Sequence, residues 1–222
     1  MLGQPLNTGP FVGRGADLAQ LRCRVEEALA GANACAWVVG EAGVGKTRLV
    51  HEVALYARLR GAAVRWNGSS AFLESASVGD GTASPSRSAP GPAELVVIDG
   101  VETAAARATA VEQLTATEGT SRLVLGTSRH PPPDPLATIL RERSVELIVL
   151  GGLDEDALGR LLDALWGEGL DGDLVTAVLR STQGNPGRAR RWLTQQRAAR
   201  SAGEPAFPQN VPTPSRRHRP RA

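Results

Sequence analysis

Residues Gly40-Glu41-Ala42-Gly43-Val44-Gly45-Lys46-Thr47 read G-x-x-x-x-G-K-T and stand directly after the apolar run Ala36-Trp37-Val38-Val39. These types at this spacing suit the cradling of phosphate. A tight glycine turn brings backbone N–H groups close to anionic oxygens, where a side chain would obstruct them. Lys46 supplies a compact positive charge for the outer phosphates. Thr47 offers a hydroxyl to Mg²⁺ while opening a helix whose positive end faces the anion. Arg48 follows in the same stretch and is placed with the binding residues. Lys46 is also the only lysine among 25 basic residues, the others being arginines. A compact ammonium thus occurs at the one position where a planar guanidinium would fit the cradle poorly.

A second chemistry-bearing position is Asp99, which ends the apolar run Leu95-Val96-Val97-Ile98. Downstream of a phosphate loop, an acid at a strand tip is placed to hold Mg²⁺ through water, near Thr47. Thr47 and Asp99 are therefore the expected metal residues. Gly100 stands where a second acid would polarise an attacking water, and Glu102 is the nearest substitute, expected at the start of a helix over 102–118. Hydrolysis is accordingly less secure than binding. The run Arg122-Leu123-Val124-Leu125-Gly126 delivers Thr127, Ser128 and Arg129 to the same sheet edge. Arg129 could stabilise a γ-phosphate or be a surface arginine. Lys46, Asp99, Glu102 and Arg129 form the expected catalytic group. The histidines, His51, His130 and His218, share no spacing, so a histidine-based metal or catalytic unit is unsupported.

The elements that must carry these groups alternate strand with helix, which predicts an α/β fold. Helices are expected over 16–30, 47–60, about 135–143, 154–166, 171–182 and about 186–200, and strands over 35–39, 62–66, 94–99, 122–129 and 146–150. Residues 1–10 read as an extended lead-in, 11–151 as the phosphate-binding domain, and 152–200 as a helical lid. The stretch 68–93 is rich in Ser, Gly and Pro and reads as a flexible insertion, a plain linker or a flap near the ligand. The tail 201–222 is expected to be disordered.

The 222 residues are 41% hydrophobic but only 4% aromatic, so the core must be built from Leu, Val and Ala. No apolar run reaches the roughly 20 residues a bilayer needs, and no leader pattern opens the chain, so a cytoplasmic location is expected. Cys23 and Cys35 read as small buried apolar residues. The net charge of +2 hides an acidic body and a basic end: residues 186–222 hold nine arginines against the single acid Glu204. Nucleic-acid contact through that end is an option, but a solvated arginine-rich surface is favoured, because no aromatic is interleaved in the final run.

In their order, Phe11-Val12-Gly13-Arg14, Gly40 to Val50, the strand ending at Asp99, Thr127-Ser128-Arg129 and Gly184-Asn185-Pro186 resemble STAND-type ATPases of the AAA+ superfamily. The set is most similar to the nucleotide-binding module of large actinobacterial LuxR-type transcriptional regulators. That resemblance implies a three-layer αβα P-loop NTPase fold, a five-stranded parallel sheet in order 5-1-4-3-2, and a small C-terminal helical lid. It implies ATP and Mg²⁺ as cofactors, with Val12 and Gly13 against adenine, Pro186 closing the pocket and Arg129 distinguishing ATP from ADP. Set beside those regulators, the chain reads as truncated and without output domains, which leaves open a relic of a longer protein. Two functions follow: a nucleotide-dependent switch with slow ATP hydrolysis, or a non-hydrolysing module acting through a protein partner, a second copy or DNA.

Overall fold

A computed structural model describes residues 9–67, 93–116, 121–143, 145–167 and 170–202. Most of the Ser/Gly/Pro-rich stretch, the start of the lead-in and nearly all of the basic tail lie outside these residues. The elements in chain order are α1 (Gly15–Leu29), β1 (Ala34–Val39), α2 (Lys46–Leu59), β2 (Ala63–Asn67), β3 (Glu94–Ile98), α3 (Ala104–Thr115), β4 (Arg122–Ser128), α4 (Leu136–Glu142), β5 (Glu146–Val149), α5 (Glu155–Trp166), α6 (Gly172–Thr182) and α7 (Pro186–Ser201). They form two compact units. One spans Arg14–Leu150; the described residues 9–13 group with those from Gly151 onward.

The first unit is a parallel sheet in order β2-β3-β4-β1-β5, the expected order read from the other edge. Its three central strands are nearly continuous apolar runs because both faces are covered. The edge strands are mixed: β2 alternates exposed and half-buried residues, and β5 leaves Leu147 and Val149 exposed. One face packs Trp37, Val39, Val96, Ile98 and Val124 under Ala110 and Leu114 of α3 and Leu136 and Leu140 of α4. Trp37 is fully buried and sits in register with Gly126 of β4. A Cβ on Gly126 would stand 2.1 Å from Cζ3 of that indole, so the pair is one packing unit.

The second unit is a helical cluster built from the α5 stripe Leu158, Leu161 and Leu162, from Val175 and Val178 of α6, and from Ala189 and Leu193 of α7. Asp154 and Asp171 cap the first two of its helices by accepting the N–H groups of Ala157 and Asp173. No helix among the described residues is long and apolar enough to cross a membrane.

One sequence expectation needs correction here. Cys23 is exposed, not buried. The buried stripe of α1 is Leu18, Leu21, Val25 and Ala28, and Cys23 lies two positions from both Leu21 and Val25, which turns it to the opposite side of the helix. Cys35 is partly buried, and desolvation pushes its thiol pKa up to about 12.

Candidate functional site

β1 feeds directly into the loop 40–47, where Gly43 (φ 83°) and Gly45 (φ 109°) take left-handed angles. Such a run of turns faces successive N–H groups toward one point. Gly45 is also the N-cap of α2 and its carbonyl accepts the first helical bond, from the N–H of Leu49 at 3.0 Å. Lys46 Nζ donates to the carbonyls of Gly40 at 2.6 Å and Glu41 at 3.1 Å, holding its charge inside the loop's own curve. Burial lowers its pKa; Glu102 and Asp99 act against that, and Arg129 adds to it. Among the described residues, these three are the charged groups that act on the Lys46 ammonium.

Thr47 Oγ1 donates to Asp99 Oδ2 at 2.9 Å, across 52 residues of chain. The other carboxylate oxygen, Oδ1, accepts from Thr127 Oγ1 at 2.6 Å, and the same hydroxyl oxygen accepts the Gly100 N–H at 2.9 Å. Thr127 is fully buried, so its hydroxyl fixes the rotation of the Asp99 carboxylate and leaves Oδ2 toward Thr47. Gly100 has φ 80°, a left-handed angle that a side chain rarely adopts. The glycine is thus required by the turn that follows Asp99.

That turn carries Glu102 back to the site. Glu102 lies before α3 rather than within it, because Thr103 caps the helix by accepting the Ala106 N–H at 3.1 Å. Glu102 Oε1 accepts the backbone N–H of Arg129 at 2.9 Å, and the Glu102 carbonyl accepts from Arg107 at 2.7 Å. Beside Arg129, the buried Ser128 Oγ receives the Trp37 indole N–H at 2.9 Å and donates to the His130 carbonyl at 2.6 Å. The tip of β4 is held by side chains on both sides, which fixes where Arg129 leaves the strand.

The structure therefore brings Lys46, Thr47, Asp99, Glu102 and Arg129 together in the first unit. Arg48 is turned along α2, in an ion pair of 2.7 Å with Glu52 one turn on. Val12, Gly13 and Pro186 belong to the other unit. There Val12 packs on the helical core, Gly13 lies against Leu153 and Ala157, and Pro186 opens α7. Their place beside adenine rests on the resemblance alone. The neighbouring Asn185 is nearly buried and caps α7, its Oδ1 accepting from the N–H groups of Gly187 at 3.0 Å and Arg188 at 3.2 Å.

Two residues escaped the sequence reading. Thr127 was one of three polar residues at a strand tip, and nothing local marks it as the partner of Asp99. Arg14 stands in sequence only as part of a motif, yet its Nη2 donates to the Val44 carbonyl at 3.2 Å. Among the described residues no group of three or more His, Cys, Asp or Glu could hold a metal by itself. The donors present are a hydroxyl and a carboxylate. They suit a hard cation that keeps waters and takes further ligands from phosphate.

The AAA ATPase domain family matches the chain over residues 10–205. The chain belongs to this family. No curated protein sequence matches it. Among solved structures, the Orc1 protein of Aeropyrum pernix in complex with DNA aligns with TM-score 0.63 at 17% identity, covering 91% of this chain and 64% of that one. The Holliday junction branch migration motor RuvB of Thermotoga maritima aligns with TM-score 0.58 at 15% identity, over 90% and 67%. Domain III of the T. maritima replication initiation protein DnaA aligns with TM-score 0.57 at 14% identity, over 89% and 88%. The AAA ATPase domain thus spans about two thirds of the RuvB and Orc1 chains, and at these identities the likeness is one of fold.

Proposed function

We propose that this AAA ATPase domain is a Mg-ATP-dependent switch with slow hydrolysis, its chemistry confined to the tips of β1, β3 and β4. The observation that supports the reading most is the hydrogen bond from Thr47 Oγ1 to Asp99 Oδ2, a hydroxyl and a carboxylate of the kind Mg²⁺ takes, with Lys46 nearby. Thr47 and Asp99 would hold Mg²⁺, which would supply neutralisation of phosphate charge. Lys46 binds the β- and γ-phosphates. Asp99 is held in orientation by the Thr127 hydroxyl and would present its other carboxylate oxygen to the cation. Glu102 accepts a proton from the attacking water, and Arg129 senses the γ-phosphate. Loss of that phosphate releases Arg129, which is the switch.

A second reading is favoured by Gly100: no acid follows Asp99 directly, and Glu102 is engaged by the Arg129 N–H. The domain would then bind nucleotide without turning it over and act through a protein partner or a second copy. Nucleic acid is a less favoured partner. Two of the α7 arginines are used within their own unit, Arg188 on Gln183 and Arg197 over the Trp166 ring and on the Leu165 carbonyl. Kinship with LuxR-type regulators of the STAND class and a cytoplasmic location belong to the same proposal and rest on the sequence motifs.

The test is a thermal-shift series with ATP, ADP and GTP, with and without Mg²⁺. Specific binding raises the unfolding temperature by mass action, and ATP with Mg²⁺ should raise it most. No rise with any nucleotide overturns both readings. Phosphate release then separates them: a rate abolished by Asp99→Ala supports the ATPase, and no release above background supports the binding module.

A further inference from the structure

We propose that Arg14 sets the direction of a phosphate-binding backbone N–H in the loop 40–47, as a positioning residue that does not itself touch the nucleotide. The inference rests on the Mg-ATP reading above. Arg14 occupies the N-cap position of α1, and its side chain is only 11% exposed. Its guanidinium is held from two directions: Nη2 donates to the Val44 carbonyl at 3.2 Å, and Nη1 lies 3.8 Å from the Asp17 carboxylate in the first turn of α1.

What this does to the loop follows from peptide geometry. The bond from Val44 to Gly45 is a trans peptide, and in a planar trans peptide the C=O and the following N–H point in opposite directions. Fixing the Val44 carbonyl on Arg14 therefore turns the Gly45 N–H away from Arg14. Among the described residues that N–H has no acceptor, so it is available to an anion.

The anchor is needed because this peptide is otherwise easy to rotate. Gly45 has φ 109° and open space where a Cβ would be, so no side chain on that residue resists a flip. The Val44 side chain is buried and its N–H bonds to the Glu41 carbonyl at 3.3 Å, which holds one end of the residue only. A flipped peptide would present the Val44 carbonyl oxygen where the N–H belongs, placing a negative dipole against phosphate. Lys46 cannot substitute, because it holds other carbonyls, those of Gly40 and Glu41.

The experiment compares the wild type with Arg14→Met, which keeps much of the stem and removes the donors, and Arg14→Lys, which restores one donor. Displacement of a fluorescent ATP analogue by Mg-ATP, ADP and inorganic tripolyphosphate gives the affinities, and unfolding of the nucleotide-free protein gives its stability. Arg14→Met should weaken all three ligands by a similar factor, about 10-fold for one lost anion contact. Arg14→Lys should recover most of that loss. Weaker ATP and ADP with unchanged tripolyphosphate would place Arg14 on the nucleoside and overturn the proposal, as would unchanged affinity in Arg14→Met. So would a large drop in unfolding temperature whose affinity loss lysine fails to rescue. A wild type that binds none of these ligands overturns the Mg-ATP reading itself.

Discussion

Buried polar side chains do different work in the two units. In the α/β unit, Thr127 and Ser128 are buried at the tip of β4 and each bonds to a side chain far along the chain, Asp99 and Trp37, although Ser128 also donates to the nearby His130 carbonyl. In the helical unit, the buried Thr182 and Asn185 bond to backbone within four residues, Thr182 to the Val178 carbonyl and Asn185 to the start of α7. The first pattern orients groups that a ligand would meet; the second finishes helix ends. A buried polar residue therefore says little until its partner is known, and the sequence distance to that partner is the useful clue.

The sharpest way to break this contrast is Lys46→Ala. It should weaken nucleotide binding by about 100-fold, the loss of charge-assisted bonds to phosphate, read by titration with a fluorescent ATP analogue. Undiminished affinity would remove the functional half of the comparison. Next, Thr127→Val strips the Asp99 carboxylate and the Gly100 N–H of a partner. The Mg²⁺ concentration for half-maximal thermal stabilisation by ATP should rise about 10-fold, while Mg-free binding holds and Thr127→Ser recovers. An equal loss without Mg²⁺ would make Thr127 as structural as Asn185.

On the helical side, Asn185→Ala should cost about 1 kcal/mol of stability, the usual value of a lost cap, measured by denaturant unfolding. The unit's own polar residues would be functional after all if this variant lost nucleotide affinity at unchanged stability. The smallest effect concerns the thiols. In the native protein a disulfide reagent at pH 8 should label Cys23 and spare Cys35, whose thiol is pushed up to about 12 by burial. Equal labelling rates would show the β1 side of the core opening readily.

The phosphate loop was legible because its chemistry fixes residue types at adjacent positions, and the central strands were legible as unbroken apolar runs. The strand order followed from the family resemblance, since pairing between distant runs leaves no mark on either run alone. In sequence Gly100 stands for a missing acid, yet its backbone angle gives a conformational reason for glycine. The sequence puts Glu102 inside a helix because Thr103 is a cap without the acidic partner three residues on that usually advertises one. Thr127 and Arg14 act on residues 28 and 30 positions away, and such contacts exist only once the chain is folded.

The packing of Trp37 against Gly126 carries a consequence for how this sequence can drift over evolutionary time. A Cβ at position 126 has no room while the indole is present, and the indole is what holds Ser128 beside Arg129. Homologues that gain a side chain at 126 should therefore carry a smaller residue at 37, together with a different hydroxyl partner or none at 128. Three positions spread over two strands should change as a set.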